Sequence, residues 1–204
     1  MRRSLSVAVV AGLLAGAGVA LAAPGPLQLR DRLLEQGEFA GYRVESTTQS
    51  YKTATAWVGA GPHVPTTQRS ADVARLHREG FVSLLSEFLD RGSERQSGLS
   101  WVMQLGSAAA ARAELKVDLA QNKSETTMGG GLYSAFSVPG VPGARGYRVS
   151  GGGSVGENIF FADGPFLYLV GQGFSSAEKS PPTRAGLIAA VTTLYRRVHR
   201  HPAG

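Results

Sequence analysis

The sequence predicts a single α+β domain, with a mainly antiparallel sheet of about six to eight strands and helices packed on one side of it. Strand patterns come in neighbouring pairs, as at 157–162 and 166–171, where Asp163-Gly164 gives a strong hairpin signal. Helical patterns are too few to alternate with every strand, as a parallel sheet would require. A two-lobed arrangement, with halves at 27–106 and 107–200, is the alternative.

The first half contains two stretches with the same order of elements. A short helix ends at Gly37 and leads into a strand, and period-two alternation at 51–58 predicts a second strand that contains Trp57. A helix that ends at Gly80 is likewise followed by an extended run and by a strand at 99–105. A duplicated helix-strand-strand unit is one interpretation, and a chance match is the other.

The second half opens with the helix that is best defined by its cap. Ser107 precedes an apolar stripe that runs through Ala111, Leu115 and Leu119, and a polar, glycine-rich loop is predicted at 122–131. Strands are expected at 146–149, 157–162 and 166–171. Ser180-Pro181 is predicted to open the final helix, whose apolar face must pack against the sheet.

The N-terminus has the pattern of an export signal. Arg2 and Arg3 precede an uncharged apolar run at 5–21, and Ala20-Leu21-Ala22 fits the small-x-small cleavage pattern. We therefore expect a cleaved signal peptide at 1–22, a linker at 23–26, one domain at 27–200 and a disordered tail at 201–204. The predicted location is secreted or extracytoplasmic. An uncleaved membrane anchor, which would make the chain a tethered structural protein, is the alternative.

Composition excludes several classes of protein. The chain has no cysteine, so an exported domain must be stable without disulfides, thiolate metal ligands or a lipidated cysteine. Its formal net charge falls from +6 to +4 when Arg2 and Arg3 are left out. No dense basic face with interleaved aromatic residues is present, so nucleic acid is not an expected partner. A lipid or a cell-wall component is the expected partner class, and the sequence does not specify the oligomeric state.

Catalytic and metal motifs find little support. Gly152 to Gly156 matches G-x-S-x-G around Ser154, and Asp163 with His199 or His201 follows in the order of a hydrolase. However, a strand pattern follows the serine where a nucleophile elbow needs a helix. The histidines lack metal-ligand spacing, and the triglycine runs lack the lysine of a phosphate loop. We therefore predict no enzyme activity, no catalytic residues, no metal and no cofactor, with a hydrolase as the less favoured alternative.

Three segments resemble known proteins: 138–144 (VPGVPGA), 158–164 (NIFFADG) and 168–171 (YLVG). They are similar to exported actinobacterial proteins of unassigned function, and the order of helices and strands resembles secreted mycobacterial-type domains with a Mog1/PsbP-like fold. The resemblance implies an α+β architecture and carries over no site. Those domains are commonly lipid-anchored through a cysteine, which this chain lacks.

Aromatic residues supply the only candidate ligand site. Trp57 and Trp101 occupy corresponding positions in the two similar stretches, and Met103 follows in the same strand as Trp101. Together with Tyr133 and Phe136 they are predicted to line an apolar pocket between the sheet and the helices. Packing in a closed core is the competing interpretation. The predicted function is therefore an exported, non-catalytic domain of the cell envelope or medium that binds an apolar or amphipathic ligand.

Overall fold

Among the residues that the structure describes, seven antiparallel strands form one sheet at the centre of the molecule. The computed structural model describes residues 27–60, 66–93 and 96–201. The strands are β1 (Arg43–Tyr51), β2 (Ser83–Ser93), β3 (Gln96–Gln104), β4 (Leu132–Phe136), β5 (Arg145–Gly151), β6 (Ser154–Asp163) and β7 (Phe166–Ser175). Their order across the sheet is β1-β2-β3-β7-β6-β5-β4, so β1 and β4 are the edges.

Four α-helices and one short 3₁₀ helix accompany the sheet in the described residues. They are a 3₁₀ helix at Arg30–Arg32, α1 (Ala54–Ala60), α2 (Thr66–Arg78), α3 (Ala108–Met128) and α4 (Arg184–His199). The predicted class, a single α+β domain with an antiparallel sheet, is confirmed. The predicted signal peptide, the linker at 23–26 and residues 202–204 of the tail lie outside the described residues.

The helices cover both faces of the sheet, so the prediction that they pack on one side was wrong. Tyr168 and Val170 of the central strand β7 belong to the apolar core under α4, whereas Leu167 and Leu169 belong to the core under α1, α2 and α3. Every residue of β7 from Phe166 to Gln172 is buried. An uninterrupted apolar strand of this kind needs cover on each face, and α4 supplies it on the side opposite α3.

The predicted strand at 53–58 is the helix α1, and this difference removes the duplicated unit. The side chain of Thr53 accepts a hydrogen bond from the backbone N–H of Ala56 at 3.1 Å, which starts the helix after β1. Six residues of alternating character are too few to distinguish a strand from two turns of helix. The first stretch therefore contains one strand followed by a helix, and the second contains a helix followed by two strands.

Helix α3 is longer than predicted. Ser107 is its N-cap, as expected, and accepts a hydrogen bond from Ala110 N–H at 3.1 Å. The helix continues through the predicted loop to Met128, and near its end the hydroxyl of Thr126 donates to the backbone carbonyl of Asn122 at 2.7 Å. Helix α4 begins after Thr183, which caps Gly186, and so starts slightly later than Ser180-Pro181 would place it.

Two arginines attach the N-terminal segment, residues 27–42, to α4 and to the sheet. Arg197 of α4 donates to both carboxylate oxygens of Glu38 at 2.8 Å and to the carbonyl of Leu33 at 2.6 Å. Arg32 is fully buried, donates to the hydroxyl of Tyr168 at 3.0 Å and lies 3.9 Å above the ring of Phe166. The segment therefore forms part of the core on the α4 face.

Candidate functional site

The five residues predicted to form a ligand site divide between the two faces of the sheet. Trp57, Trp101, Met103 and Tyr133 belong to the core under α1, α2 and α3. Phe136 packs against the core on the α4 face. The structure thus brings four of the five together and separates the fifth, because Tyr133 and Phe136 differ by three positions on β4 and point to opposite faces.

A continuous row of aromatic rings crosses the sheet beneath α3. Consecutive ring centroids lie 5.4, 6.2, 5.6, 6.1 and 5.3 Å apart along the row Tyr51, Trp57, Trp101, Phe160, Tyr147 and Tyr133. Trp101 and Met103 are almost completely buried, so they form the floor of this layer and do not face solvent. Trp57 and Tyr133 are partly exposed at its margins. Of the predicted residues on this face, only these two have surface available to a ligand.

A cleft of about 180 Å³ opens beside Trp57, between α1 and α2 on one side and α3 on the other. We call it the Trp57 cleft. Its lining residues are Trp57, Val58, Asp72, Arg75, Leu76, Glu114, Asp118, Gln121, Asn122 and Glu125. The lining therefore combines an indole and two aliphatic side chains with four carboxyl groups and one guanidinium group.

Arg75 connects the two helices across the cleft. It pairs with Asp72 at 2.9 Å on its own helix and with the buried carboxylate of Glu114 on α3. Asp118, one turn further along α3, has no ion pair in the described part of the chain. The pKa of Asp118 is raised to about 7, mainly by burial; Arg75 opposes the shift, and the nearby carboxylates Glu79 and Asp72 contribute to it. The cleft thus holds more acid than its single arginine neutralises.

Tyr147 lies beneath α3 and contacts Asn122, one of the residues that line the cleft. Its hydroxyl donates to Asn122 Oδ1 at 2.9 Å, and burial together with the charge of Asp118 raises the pKa of Tyr147, so the phenol stays protonated as a donor. Sequence reasoning missed Arg75, Glu114 and Asp118. The only local signal was the i, i+3 pair of Asp72 and Arg75, because Arg75 and Glu114 are 39 residues apart.

Phe136 lies beside a cluster of polar side chains on the α4 face. The buried carboxylate of Glu157 accepts hydrogen bonds from Arg184 at 2.8 and 3.2 Å, from Arg148 at 3.4 Å and from Gln172 at 3.0 Å. The guanidinium group of Arg184 lies 4.2 Å from the centroid of the Phe136 ring. This cluster borders a cavity of about 380 Å³, whose other walls include Pro181 and Pro182.

The candidate catalytic triad of Ser154, Asp163 and His199 fails on distance. Ser154 and Asp163 are the first and last of the ten residues of β6, so they stand about 30 Å apart at roughly 3.3 Å per residue. Asp163 does contact His199, with Oδ1 3.1 Å from Nδ1, but the histidine side chain is 61% exposed at the surface. The three residues therefore cannot act on one substrate.

The described residues contain no group of three or more His, Asp or Glu side chains placed to hold a metal ion. His63, the histidine flanked by prolines, lies outside them. Within the same residues, none of the helices has the length and apolar character needed to span a membrane.

Comparison with known proteins gives a likeness in fold. No protein-family model matches the chain, and no curated protein matches it. Among solved structures, it is similar to the extracellular domain of PknH from Mycobacterium tuberculosis, with a TM-score of 0.53 and 13% identity over 86% of this chain and 98% of that one. At this identity the likeness shows the fold alone. The resemblance to Mog1/PsbP-like domains stays a prediction.

Proposed function

We propose that this chain is a non-catalytic, extracytoplasmic domain that binds an amphipathic molecule with a cationic head group in the Trp57 cleft. The extracellular neighbour in fold and the N-terminal export pattern support the location. A lipid head group and a free organic ammonium ion share this chemistry, and both are available outside the cytoplasm. The predicted partner class, a lipid or a cell-wall component, fits the same proposal.

The observation that carries the proposal is the composition of the cleft. A partly exposed indole, Trp57, faces the same space as four carboxyl groups, of which Arg75 neutralises only part. Aromatic faces and carboxylates both attract organic cations, and an indole is the strongest of the aromatic partners. A cavity of about 150 Å³ is large enough to hold benzene. The cleft is therefore of a size to admit a trimethylammonium group, while the alkyl chain of the ligand would lie along the partly exposed Val58.

The pKa of Asp118 gives the proposed site a pH dependence. Below pH 7 its carboxyl group is mostly protonated, and above pH 7 it carries a negative charge. Deprotonation adds one negative charge, which attracts the cationic ligand. The affinity for a cationic ligand should therefore rise as the pH increases through 7, by about threefold or more.

Tryptophan fluorescence can test the proposal directly, because the chain has two tryptophans. In Trp101→Phe, emission comes from Trp57 alone. Titration with hexyltrimethylammonium should change this emission in a saturable way, more tightly at pH 8 than at pH 5.5, whereas hexyl sulfate should have little effect. Asp118→Asn should remove the pH dependence, and Glu45→Gln, an exposed acid on β1, should leave it unchanged.

Two results would contradict the proposal. An emission change of the same size and affinity with hexyl sulfate would show simple apolar adsorption. An emission spectrum that stays constant up to 10 mM hexyltrimethylammonium at pH 8, in a protein shown to be folded, would remove the Trp57 cleft as a site for this class of ligand.

A further inference from the structure

The two edges of the sheet differ in how they are protected against further strand pairing. Edge strands expose backbone N–H and C=O groups, and proteins usually guard them with charges, bulges or covering segments. β1 has all three: it carries Arg43 and Glu45, its register shifts between Val44 and Thr48, and the Gln36 side chain accepts a hydrogen bond from Val44 N–H at 3.0 Å.

β4 has none of these protections. It pairs with β5 in continuous register, and no described segment pairs with its other side. The sequence from Thr126 to Ala144 contains no charged residue. The two most exposed large apolar side chains of the described residues also lie here: Met128, 78% exposed, and Leu132, 74% exposed. An uncharged edge beside exposed apolar side chains is typical of an interaction site.

We propose that β4 pairs antiparallel with β4 of a second copy of this chain, about a two-fold axis through Ser134. This register places Leu132 opposite the second copy's Phe136, and Tyr133 opposite its Ala135. Leu132 and Phe136 share one face of β4, so the exposed leucine would pack on an aromatic ring that the guanidinium group of Arg184 already holds in place. The pairing would join the two seven-stranded sheets into one.

Self-complementarity favours a second copy over an unrelated partner. In an isologous two-fold contact residue i meets residue j and residue j meets residue i, and only the residue on the axis meets its own counterpart, so a charge at that position would face the same charge. β4 carries none, and Ser134, the residue on the axis, is exposed, small and neutral. A stable dimer buries about 1,200–2,000 Å² in total, more than one five-residue strand with its neighbours supplies. The dimer should therefore be weak and reversible, with a Kd on the order of 100 µM.

Sedimentation equilibrium of the mature protein between 10 and 500 µM tests the proposal. The wild-type weight-average mass should rise towards that of a dimer. Ser134→Lys and Ser134→Glu should each weaken association at least tenfold, because like charges then face each other on the axis. An equimolar mixture of the two variants should associate at least as well as the wild type. Ser50→Lys, the same substitution on the opposite edge strand, is the control and should dimerise normally.

Circular dichroism of each variant establishes that the monomer is folded, which the exposure of Ser134 leads us to expect. A wild-type chain that stays monomeric at 500 µM would overturn the proposal and leave this edge to an extended segment of another protein. Unchanged association of Ser134→Lys, loss of association in Ser50→Lys, or a mixture that stays monomeric would each overturn the proposed register.

Discussion

Replacement of Glu87 by glutamine should change the stability of this protein in a strongly pH-dependent way. Glu87 lies in the middle of β2 on the α4 face, 4% exposed, beneath the N-terminal segment. It has no ion pair among the described residues, and its Oε1 has no hydrogen-bond partner there. Burial raises the pKa of Glu87 to about 7, although Arg30, the backbone of Leu34 and Arg197 oppose the shift.

The magnitude follows from the two protonation states. In the unfolded chain the carboxyl group has its ordinary pKa of 4.5, and in the folded protein the value is about 7. Between these values the folded state binds a proton that the unfolded state has lost, so the free energy of unfolding falls as the pH rises. A difference of about 2.5 pKa units, at roughly 1.4 kcal/mol each, corresponds to about 3–4 kcal/mol as an upper bound. Glutamine does not titrate and escapes this loss.

Urea unfolding of the wild type and of Glu87→Gln at pH 4 and pH 8 measures the effect. The variant should gain about 2–3 kcal/mol relative to the wild type between the two pH values, since comparison across pH cancels differences in packing. Glu45→Gln, at an exposed acid, should show no such change. If the stability difference for Glu87→Gln were the same at both pH values, Glu87 would have to be ionised and compensated in the fold, and the reasoning would be wrong.

Two further predictions concern packing and export. A Cβ at Gly146 would stand 2.2 Å from the ring of Phe136, so Gly146→Ala should lower the free energy of unfolding, measured in urea, by about 1–3 kcal/mol. At Gly59 a Cβ has open space, so Gly59→Ala should be neutral or slightly stabilising in the same assay. The intact mass of the protein collected from the medium or envelope of expressing cells should match a chain that begins at Ala23, and a mass that retains residues 1–22 would favour the uncleaved anchor instead.

Helices, strands and turns that depend on residues close in the chain could be predicted from the sequence. Ser107 caps α3 through its own side chain, and Gly164 adopts a positive φ of 57° in the β6–β7 hairpin, so both features depend on residues close in the chain. The strands β5, β6 and β7 were predicted correctly for the same reason. The prediction of a strand at Trp57 was wrong because the alternation of its residues is compatible with a strand or a helix. The Thr53 cap and the packing of α1 against α2 favour the helix.

The candidate site depends instead on contacts between distant parts of the chain. The aromatic residues could be selected as candidates because large apolar side chains on predicted strands must be buried, but no sequence pattern shows which face of the sheet each one joins. Arg75 meets Glu114 only because α2 and α3 lie over the same face of the sheet, and Phe136 is separated from Tyr133 because β4 is pleated. Local periodicity and capping determine where helices and strands form. The order of the strands and the helices that cover each face depend on contacts between residues far apart in the chain. These contacts produce the Trp57 cleft, the buried position of Glu87 and the unprotected β4 edge.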